Sequence, residues 1–214
     1  MLSAALDLLL PLQCGGCAAP RTRWCDDCAA ALLPDDDQPH LLTPRVDPQV
    51  PVFALGRYAG PRRHAIVALK EHGRTDLIGP LAHALALGIH RLISWGIVET
   101  PLVVVPAPTR GSAARRRGGD PVTRIAATAT GDHPGIAVAN LLRMRPGARD
   151  SVGLDSAARE RNIAGRIRMA GSAPATDVLL IDDIVTTGAT AAESVRVLQA
   201  GGTRVTGVFA IAYA

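Results

Sequence analysis

Aromatic residues and lysine are scarce in this sequence of 214 residues. Tryptophan, tyrosine and phenylalanine occur twice each, and Lys70 is the only lysine. So few rings argue against a platform on which nucleic-acid bases stack. Arginine carries nearly all of the positive charge, and the formal net charge is +4. Because guanidinium groups suit phosphates, this composition is compatible with anionic ligands.

No stretch is apolar for long enough to predict a membrane-spanning helix. The longest, residues 81–98, is interrupted by His83, His90 and Arg91 and is typical of a helix in a globular protein. The apolar start, residues 2–14, lacks basic residues and contains Asp7, so it predicts no export signal. We therefore expect a cytoplasmic protein.

All four cysteines lie close together near the start of the chain, as Cys14, Cys17, Cys25 and Cys28. The pattern C-x2-C-x7-C-x2-C presents four thiolates with the spacing of a structural, tetrahedral zinc site. Two disulfides are the competing interpretation, which a cytoplasmic location disfavours. Four free thiols are the third, and the clustering of the cysteines argues against it.

Hydrophobic periodicity predicts alternating strands and helices after the cysteines. The segment 34–51 is rich in proline and contains three successive aspartates, so a linker or irregular excursion is expected there. Beyond it we predict strands at residues 52–58, 102–105, 137–142, 167–169 and 203–212. Helices are predicted at residues 62–72, 76–94, 121–130 and 154–164, the second capped by Thr75 or Asp76. This alternation predicts an α/β fold with a parallel sheet flanked by helices.

The segment 176–191 is the most informative part of the sequence. Residues 178–181 are continuously apolar, which predicts a strand buried on both faces and ending where Asp182 and Asp183 begin. Small and hydroxyl-bearing residues follow, and residues 191–198 have the apolar spacing of a helix. The loop between strand and helix comprises Thr186, Thr187, Gly188, Ala189 and Thr190.

This strand, acidic pair, loop and helix suit one type of ligand. Backbone N–H groups, threonine hydroxyls and the helix N-terminus can surround a phosphate. The neighbouring carboxylates of Asp182 and Asp183 suit vicinal hydroxyl groups. Together they predict a site for a ribose 5-phosphate. The lysine of a Walker loop and the glycine pattern of a dinucleotide-binding turn are both missing.

A second loop, after the predicted strand at 102–105, is strongly basic. It contains Arg110 and the successive arginines Arg115, Arg116 and Arg117. Ligands bind beyond the carboxyl ends of strands in such folds. The loop, together with Lys70, is therefore a candidate for contacting a pyrophosphate or another polyanion. A merely solvated run of charge is the alternative.

Residues 180–190, LIDDIVTTGAT, resemble the PRPP-binding signature of type I phosphoribosyltransferases. The resemblance implies that PRPP binds with Mg²⁺ bridging its pyrophosphate and ribose hydroxyls. It also implies that Asp182 and Asp183 orient the ribose and serve as the catalytic residues. It further implies that Thr186–Thr190 hold the 5′-phosphate.

The four-cysteine segment placed before this domain resembles the ComF family, which includes the GntX-type proteins. Three further segments carry this resemblance: Arg57-Tyr58 to Gly73, Val105-Pro106 with Arg115–Gly118, and Val152-Gly153-Leu154 to Gly165. The second continues as Gly118-Gly119-Asp120-Pro121, where the family usually has Gly-Phe-Asn-Gln. We accordingly predict a helix and zinc ribbon over 1–45 and a phosphoribosyltransferase-like domain over 46–214.

The ComF resemblance implies a role in DNA uptake during natural competence. Its implied partners are single-stranded DNA, an ATP-driven translocase and a recombination mediator. Two hypotheses follow. The chain is either a Mg²⁺-dependent phosphoribosyltransferase of unknown acceptor, or a non-catalytic module that binds DNA or a partner and retains a PRPP pocket.

Overall fold

The computed structural model describes residues 12–35, 37, 39–109, 119–131, 133–145 and 163–214. Its strands are β1 His40–Leu42, β2 Val52–Ala54, β3 Leu102–Pro106, β4 Ile136–Val138, β5 Leu142–Met144, β6 Ile167–Met169, β7 Asp177–Val185 and β8 Val205–Tyr213. Its helices are α1 Asp26–Leu32, α2 Gly60–Glu71, α3 Ile78–Ser94, α4 Pro121–Thr130 and α5 Ala189–Ala200. A short 3-10 helix, Thr75–Leu77, precedes α3.

Six strands form one sheet in the order β1-β2-β8-β7-β3-β4. Every neighbouring pair is parallel except β1 with β2. The central strand β7 is buried on both faces: Leu179 and Ile181 pack with α2, α3 and α4, and Val178 and Leu180 pack with α5. This confirms the predicted α/β class. β5 and β6 form a separate antiparallel ribbon.

The topology of the sheet changes direction between β7 and β3. The chain runs from β3 through α4 to β4 on one side, and from β7 through α5 to β8 on the other. In open α/β sheets the crevice beyond the carboxyl ends of two such strands is the usual ligand site. The fold therefore points to the end of β7, where the two aspartates lie.

Several predicted boundaries are wrong. β7 does not end before the aspartates but continues through them to Val185. The 34–51 segment contains β1, which pairs with β2 as the edge strand of the main sheet. The predicted strand at 137–142 is two strands, β4 and β5, of different sheets. Asp76 does not cap α3, because the helix begins at Ile78 after the 3-10 turn.

One described helical stretch, Thr75–Ser94, is long and apolar enough to cross a membrane by those two criteria. Half of its most apolar window is buried inside the fold. Leu81, Leu85, Ile89 and Leu92 on it belong to the core beside α2 and α4. The stretch is thus explained by α3, a helix that packs in the core against this sheet.

Candidate functional site

A cavity of about 400 Å³ lies at the carboxyl end of β7. Its floor is formed by the two aspartates and by the loop that leads into α5. One wall comes from α2, which contributes Val67, Lys70 and Glu71. Tyr58, after β2, and Ile163 also line the cavity. The structure therefore brings Lys70, which is distant in the sequence, to the acidic pair and the loop Thr186–Thr190.

Asp183 forms an ion pair with Lys70 across the cavity wall. The Nζ of Lys70 lies 2.6 Å from Oδ2 of Asp183, whose residue is only 8% exposed. Burial by itself would lower the pKa of Lys70, but the charge of Asp183 and the hydrogen bond to it outweigh this, and the net pKa is raised. Lys70 thus stays charged, which makes a buried carboxylate tolerable inside the strand.

Asp182 has different surroundings, because successive side chains of a strand point to opposite faces. Its Oδ1 accepts a hydrogen bond of 2.8 Å from the N–H of Asp183. Burial, followed by the charge of Asp183, raises the pKa of Asp182 to about 8, although Lys70 acts in the opposite direction. The charge of Asp120 at the start of α4 adds to the increase. At neutral pH this carboxyl holds its proton unless a hydroxyl group or a cation favours the ionised form.

The loop after β7 is held in place by a segment that the sequence did not connect with it. Gly188 has φ +86°, and a Cβ at this position would come within 2.4 Å of the carbonyl oxygen of Val46. The N–H of Val46 also donates to the carbonyl of Thr187 at 2.8 Å. Residues 44–46, which lie within the predicted linker, therefore pack directly on the loop.

The first residues of α5 continue the loop. The N–H of Ala189 donates to Oγ1 of Thr187 at 3.3 Å, and Thr186 is exposed toward solvent. Thr190 is partly buried and lines the cavity. Backbone N–H groups at a helix N-terminus and two lining hydroxyl groups are the donors that a phosphate group needs.

Sequence reasoning missed Val67 and Glu71 among the lining residues, and also Tyr58, Ile163, Ile184, Val185 and Ala191. A signal existed for the first two, because Val67 lies three residues before Lys70 and four before Glu71, and residues at those spacings share a helix face. Ile163 had no such signal. Arg110, Arg115, Arg116 and Arg117 were predicted to contact a pyrophosphate or another polyanion. They lie outside the described residues, so their role stays a prediction.

The four cysteines lie beside the amino ends of α2 and α3. In the sequence they precede all residues that line the cavity. Their sulfur atoms are all within 4.8 Å of one another, and Sγ of Cys25 is 3.6 Å from Sγ of both Cys14 and Cys17. Zinc–sulfur bonds of about 2.3 Å place tetrahedral sulfurs about 3.8 Å apart. The cysteines are therefore positioned to bind one metal ion.

The backbone around Cys14 favours its thiolate, which is the form that binds metal. Burial acts to raise the pKa of Cys14, but hydrogen bonds from the backbone of Cys17, Gly16 and Cys25 outweigh it and lower the pKa to about 6. The N–H groups of Gly16 and Cys25 lie 3.4 Å from its sulfur.

No protein-family model matches the chain, and no curated protein matches it. Among solved structures it is similar to a hypoxanthine phosphoribosyltransferase from Staphylococcus aureus in two crystal forms, each at 18% identity, with TM-scores of 0.36 and 0.33. These matches cover 62% and 61% of this chain and 61% and 58% of those chains. UMP synthase from Leishmania donovani matches at 12% identity and a TM-score of 0.35, over 71% of this chain and 24% of that one.

The chain thus spans less than two thirds of the length of each of these proteins. All three TM-scores are below 0.5, so the function is argued below from the geometry of the site.

Proposed function

We propose that the chain binds PRPP in the cavity at the end of β7 and transfers its phosphoribosyl group to an acceptor. One observation carries the proposal. The acidic pair and the hydroxyl-rich loop line a single cavity at the point where the sheet changes direction. A ligand bound there meets carboxylates at one end and helix-terminal N–H groups at the other, which matches a ribose that carries a 5′-phosphate.

Each group of the site has a distinct task in this proposal. The loop Thr186–Thr190 holds the 5′-phosphate through N–H groups and hydroxyls. Asp182 and Asp183 accept hydrogen bonds from the ribose hydroxyls. Lys70 forms an ion pair with Asp183 and fixes its orientation. Because these groups hold the ribose in place, the reacting carbon is positioned before the reaction begins.

Mg²⁺ fits the donor set, since among the described residues only Asp183 of the two adjacent carboxylates is paired with a cation, and the pKa of Asp182 is raised. Asp182 and Asp183 would hold the ion, which neutralises charge on the pyrophosphate. In the transfer itself, the bond from C1 of the ribose to the pyrophosphate oxygen breaks and a bond from C1 to the acceptor forms. The carboxylates stabilise the positive charge that develops on the ribose ring.

The basic loop is assigned to the pyrophosphate on the sequence pattern alone. Arg110, Arg115, Arg116 and Arg117 would neutralise the leaving group. We likewise propose zinc as the metal of the cysteine cluster, because four thiolate ligands in a closed tetrahedral set are typical of structural zinc. Membership of the ComF family, a role in competence, DNA and ATPase partners and a cytoplasmic location all rest on the sequence motifs.

Calorimetric titration of PRPP with Mg²⁺ tests the proposal directly. We expect micromolar binding by the wild type and at least about 100-fold weaker binding by Asp182→Asn/Asp183→Asn, since each lost charged acceptor is worth about 1.5–3 kcal/mol. Asparagine keeps the shape of the site. Asp177→Asn is the matched control, because Asp177 lies at the opposite end of β7 and pairs only with the exposed Arg204.

The proposal fails if the wild type does not bind PRPP, or if the double variant binds as well as the Asp177 control. Release of pyrophosphate in the presence of nitrogenous acceptors then separates the two hypotheses. PRPP binding without release for any acceptor favours the non-catalytic module.

A further inference from the structure

A second cavity lies on the other side of β3 from the aspartates. It has a volume of about 450 Å³ and occupies the carboxyl ends of β3 and β4. We call it the β3–β4 groove and define it by its polar lining residues, Thr109, Asp120, Thr123, Arg124, Asn140 and Arg143. None of them lines the cavity that holds Asp182 and Asp183. The groove is therefore a separate concave site, one strand away from the first.

The charged lining residues of the groove, Arg124, Arg143 and Asp120, give it a net positive charge. Its one acid, Asp120, is engaged in capping α4: Oδ1 accepts from the N–H of Val122 and from the hydroxyl of Thr109, and Oδ2 accepts from the hydroxyl of Thr123 at 2.8 Å. Within the part of the chain that the structure describes, neither Arg124 nor Arg143 forms an ion pair. Two arginines thus face a cavity whose one carboxylate already accepts three hydrogen bonds.

Arg143 is held in one orientation. Its Nη1 donates to the carbonyl oxygens of Asn140 and Leu142, at 3.2 and 2.9 Å. The edge of the guanidinium that carries Nη2 and Nε takes no part in these two hydrogen bonds. A guanidinium with one edge fixed and the other edge available is pre-organised for two parallel hydrogen bonds to an oxyanion.

Asn140 adds a side-chain amide on the same side. The amide lies 3.0 Å from the hydroxyl of Thr123, whose one proton also faces Oδ2 of Asp120 at 2.8 Å. The groove therefore offers two guanidinium groups as donors, with an amide beside them.

The ribbon next to the groove points to the same chemistry. Arg143 on β5 is the register partner of Arg168 on β6, and both side chains are exposed. Like charges directly opposite each other in an antiparallel pair are destabilising. A bound anion at this position would relieve the repulsion.

The size and the apolar wall of the groove indicate how large the ligand is. Pro106, Ala107, Pro108 and Leu142 line the remaining surface, which suits the flat or apolar part of a molecule. A cavity of this volume lies in the range that encloses small ligands. We propose that the β3–β4 groove binds a phosphate-bearing ligand of about mononucleotide size, at a site separate from the Asp182–Thr190 cavity.

Adenosine 5′-monophosphate is a suitable probe, titrated into the zinc-loaded full chain at a fixed salt concentration. We expect saturable binding that is at least tenfold weaker in Arg124→Gln/Arg143→Gln. Arg204→Gln, an exposed arginine paired with Asp177, is the matched control and should bind like the wild type. Thermal unfolding of each variant verifies that it is folded.

A second variant separates this groove from the phosphate loop. Thr186→Asp places a negative charge at an exposed position in the loop after β7, so it should prevent the ribose 5-phosphate of the probe from binding in the Asp182–Thr190 cavity. Titrated in this background, the chain should keep the binding that Arg124→Gln/Arg143→Gln removes. Binding lost in Thr186→Asp and retained in the arginine variant would overturn the proposal. Equal affinity for adenosine would overturn it as well, because the phosphate would then play no part. A response to oligodeoxythymidine but not to the mononucleotide would replace it with a nucleic-acid surface.

Discussion

At the scale of single residues, two adjacent aspartates have different electrostatic environments. Asp183 meets the amine of Lys70 at 2.6 Å in a buried position. Asp182 meets no cation at comparable distance among the described residues, and its pKa is raised to about 8. The site thus has one carboxyl group engaged in an ion pair and one whose charge depends on pH and on the ligand.

We expect the free energy of unfolding to respond to pH through Asp182. In the folded chain this carboxyl keeps its proton up to about pH 8, whereas in an unfolded chain an aspartate loses it near about 4. Between those values the folded state binds more protons, so the stability that Asp182 contributes decreases as pH rises. Asp182→Asn should remove this decrease and become progressively more stable than the wild type from about pH 4 to about pH 8.

Urea unfolding of both proteins across this pH range measures the difference directly. Asp177→Asn is the control and should keep the pH dependence of the wild type. A difference between wild type and Asp182→Asn that does not change with pH would show that the raised pKa is wrong.

At the scale of elements, local sequence predicts the regular pieces well. Residues 121–130 were predicted as a helix and form one with the same bounds, because Asp120 caps it and Pro121 occupies its first turn. The pair Asp120-Pro121 therefore has a structural role. The helix α5, which follows the loop after β7, was also predicted, from its apolar spacing.

Elements that depend on distant partners were not predictable. β7 runs through two aspartates because β8 pairs with it as far as Tyr213 and because Lys70, far away in the chain, neutralises Asp183. β1 is only three residues long and lies in a proline-rich segment. It forms a strand because it pairs with β2. In the site, the acidic pair and the loop were evident from the sequence, whereas the support from residues 44–46 was not.

This support leads to a prediction for Gly188→Ala. The substitution puts a Cβ within 2.4 Å of Val46 O and 2.8 Å of Pro44 Cβ, at a φ of +86°. We expect a loss of about 2–3 kcal/mol in the free energy of unfolding, from the left-handed backbone and the displaced segment. PRPP binding should weaken at least tenfold, because the loop N–H groups move.

Gly79→Ala is the matched control for this change. Gly79 lies in α3, and nothing is within 4 Å of the position that an added methyl group would occupy, so alanine there should be neutral or slightly stabilising. Urea unfolding and PRPP calorimetry on both variants check the prediction. Gly188→Ala behaving like Gly79→Ala would contradict the tight contact with residues 44–46.

At the scale of the whole molecule, the cysteine cluster is joined to the main fold by direct contacts. Arg74 donates to the carbonyls of Gln13 and Arg23, at 3.2 and 3.1 Å. Nδ1 of His64 lies 2.6 Å from the carbonyl oxygen of Gly16. Because His64 is on α2, the helix that carries Lys70, the cluster and the candidate site share one structural element.

We therefore expect metal removal to destabilise the entire molecule. Chelation of zinc should lower the Tm by about 5–10 °C, which corresponds to about 2–3 kcal/mol for a domain of this size, in a single transition. Metal analysis should find one zinc per chain, and zinc addition should restore the Tm. A separate low-temperature transition, or a Tm unaffected by the chelator, would contradict this coupling.

Thiol titration distinguishes the metal from the disulfide alternative. Four thiols should become reactive only after chelation, without any reductant. A protein with two disulfides would yield none until it is reduced.

Lys70 is the only lysine of the chain, and it lies inside the candidate site with its Nζ against Asp183. Amine-directed chemistry therefore has one internal target, besides the α-amino group. Coupling the protein to a sensor surface through its amines would attach a fraction of the molecules by their own binding cavity. Measurements of PRPP affinity thus belong in free solution, or on protein immobilised through another group.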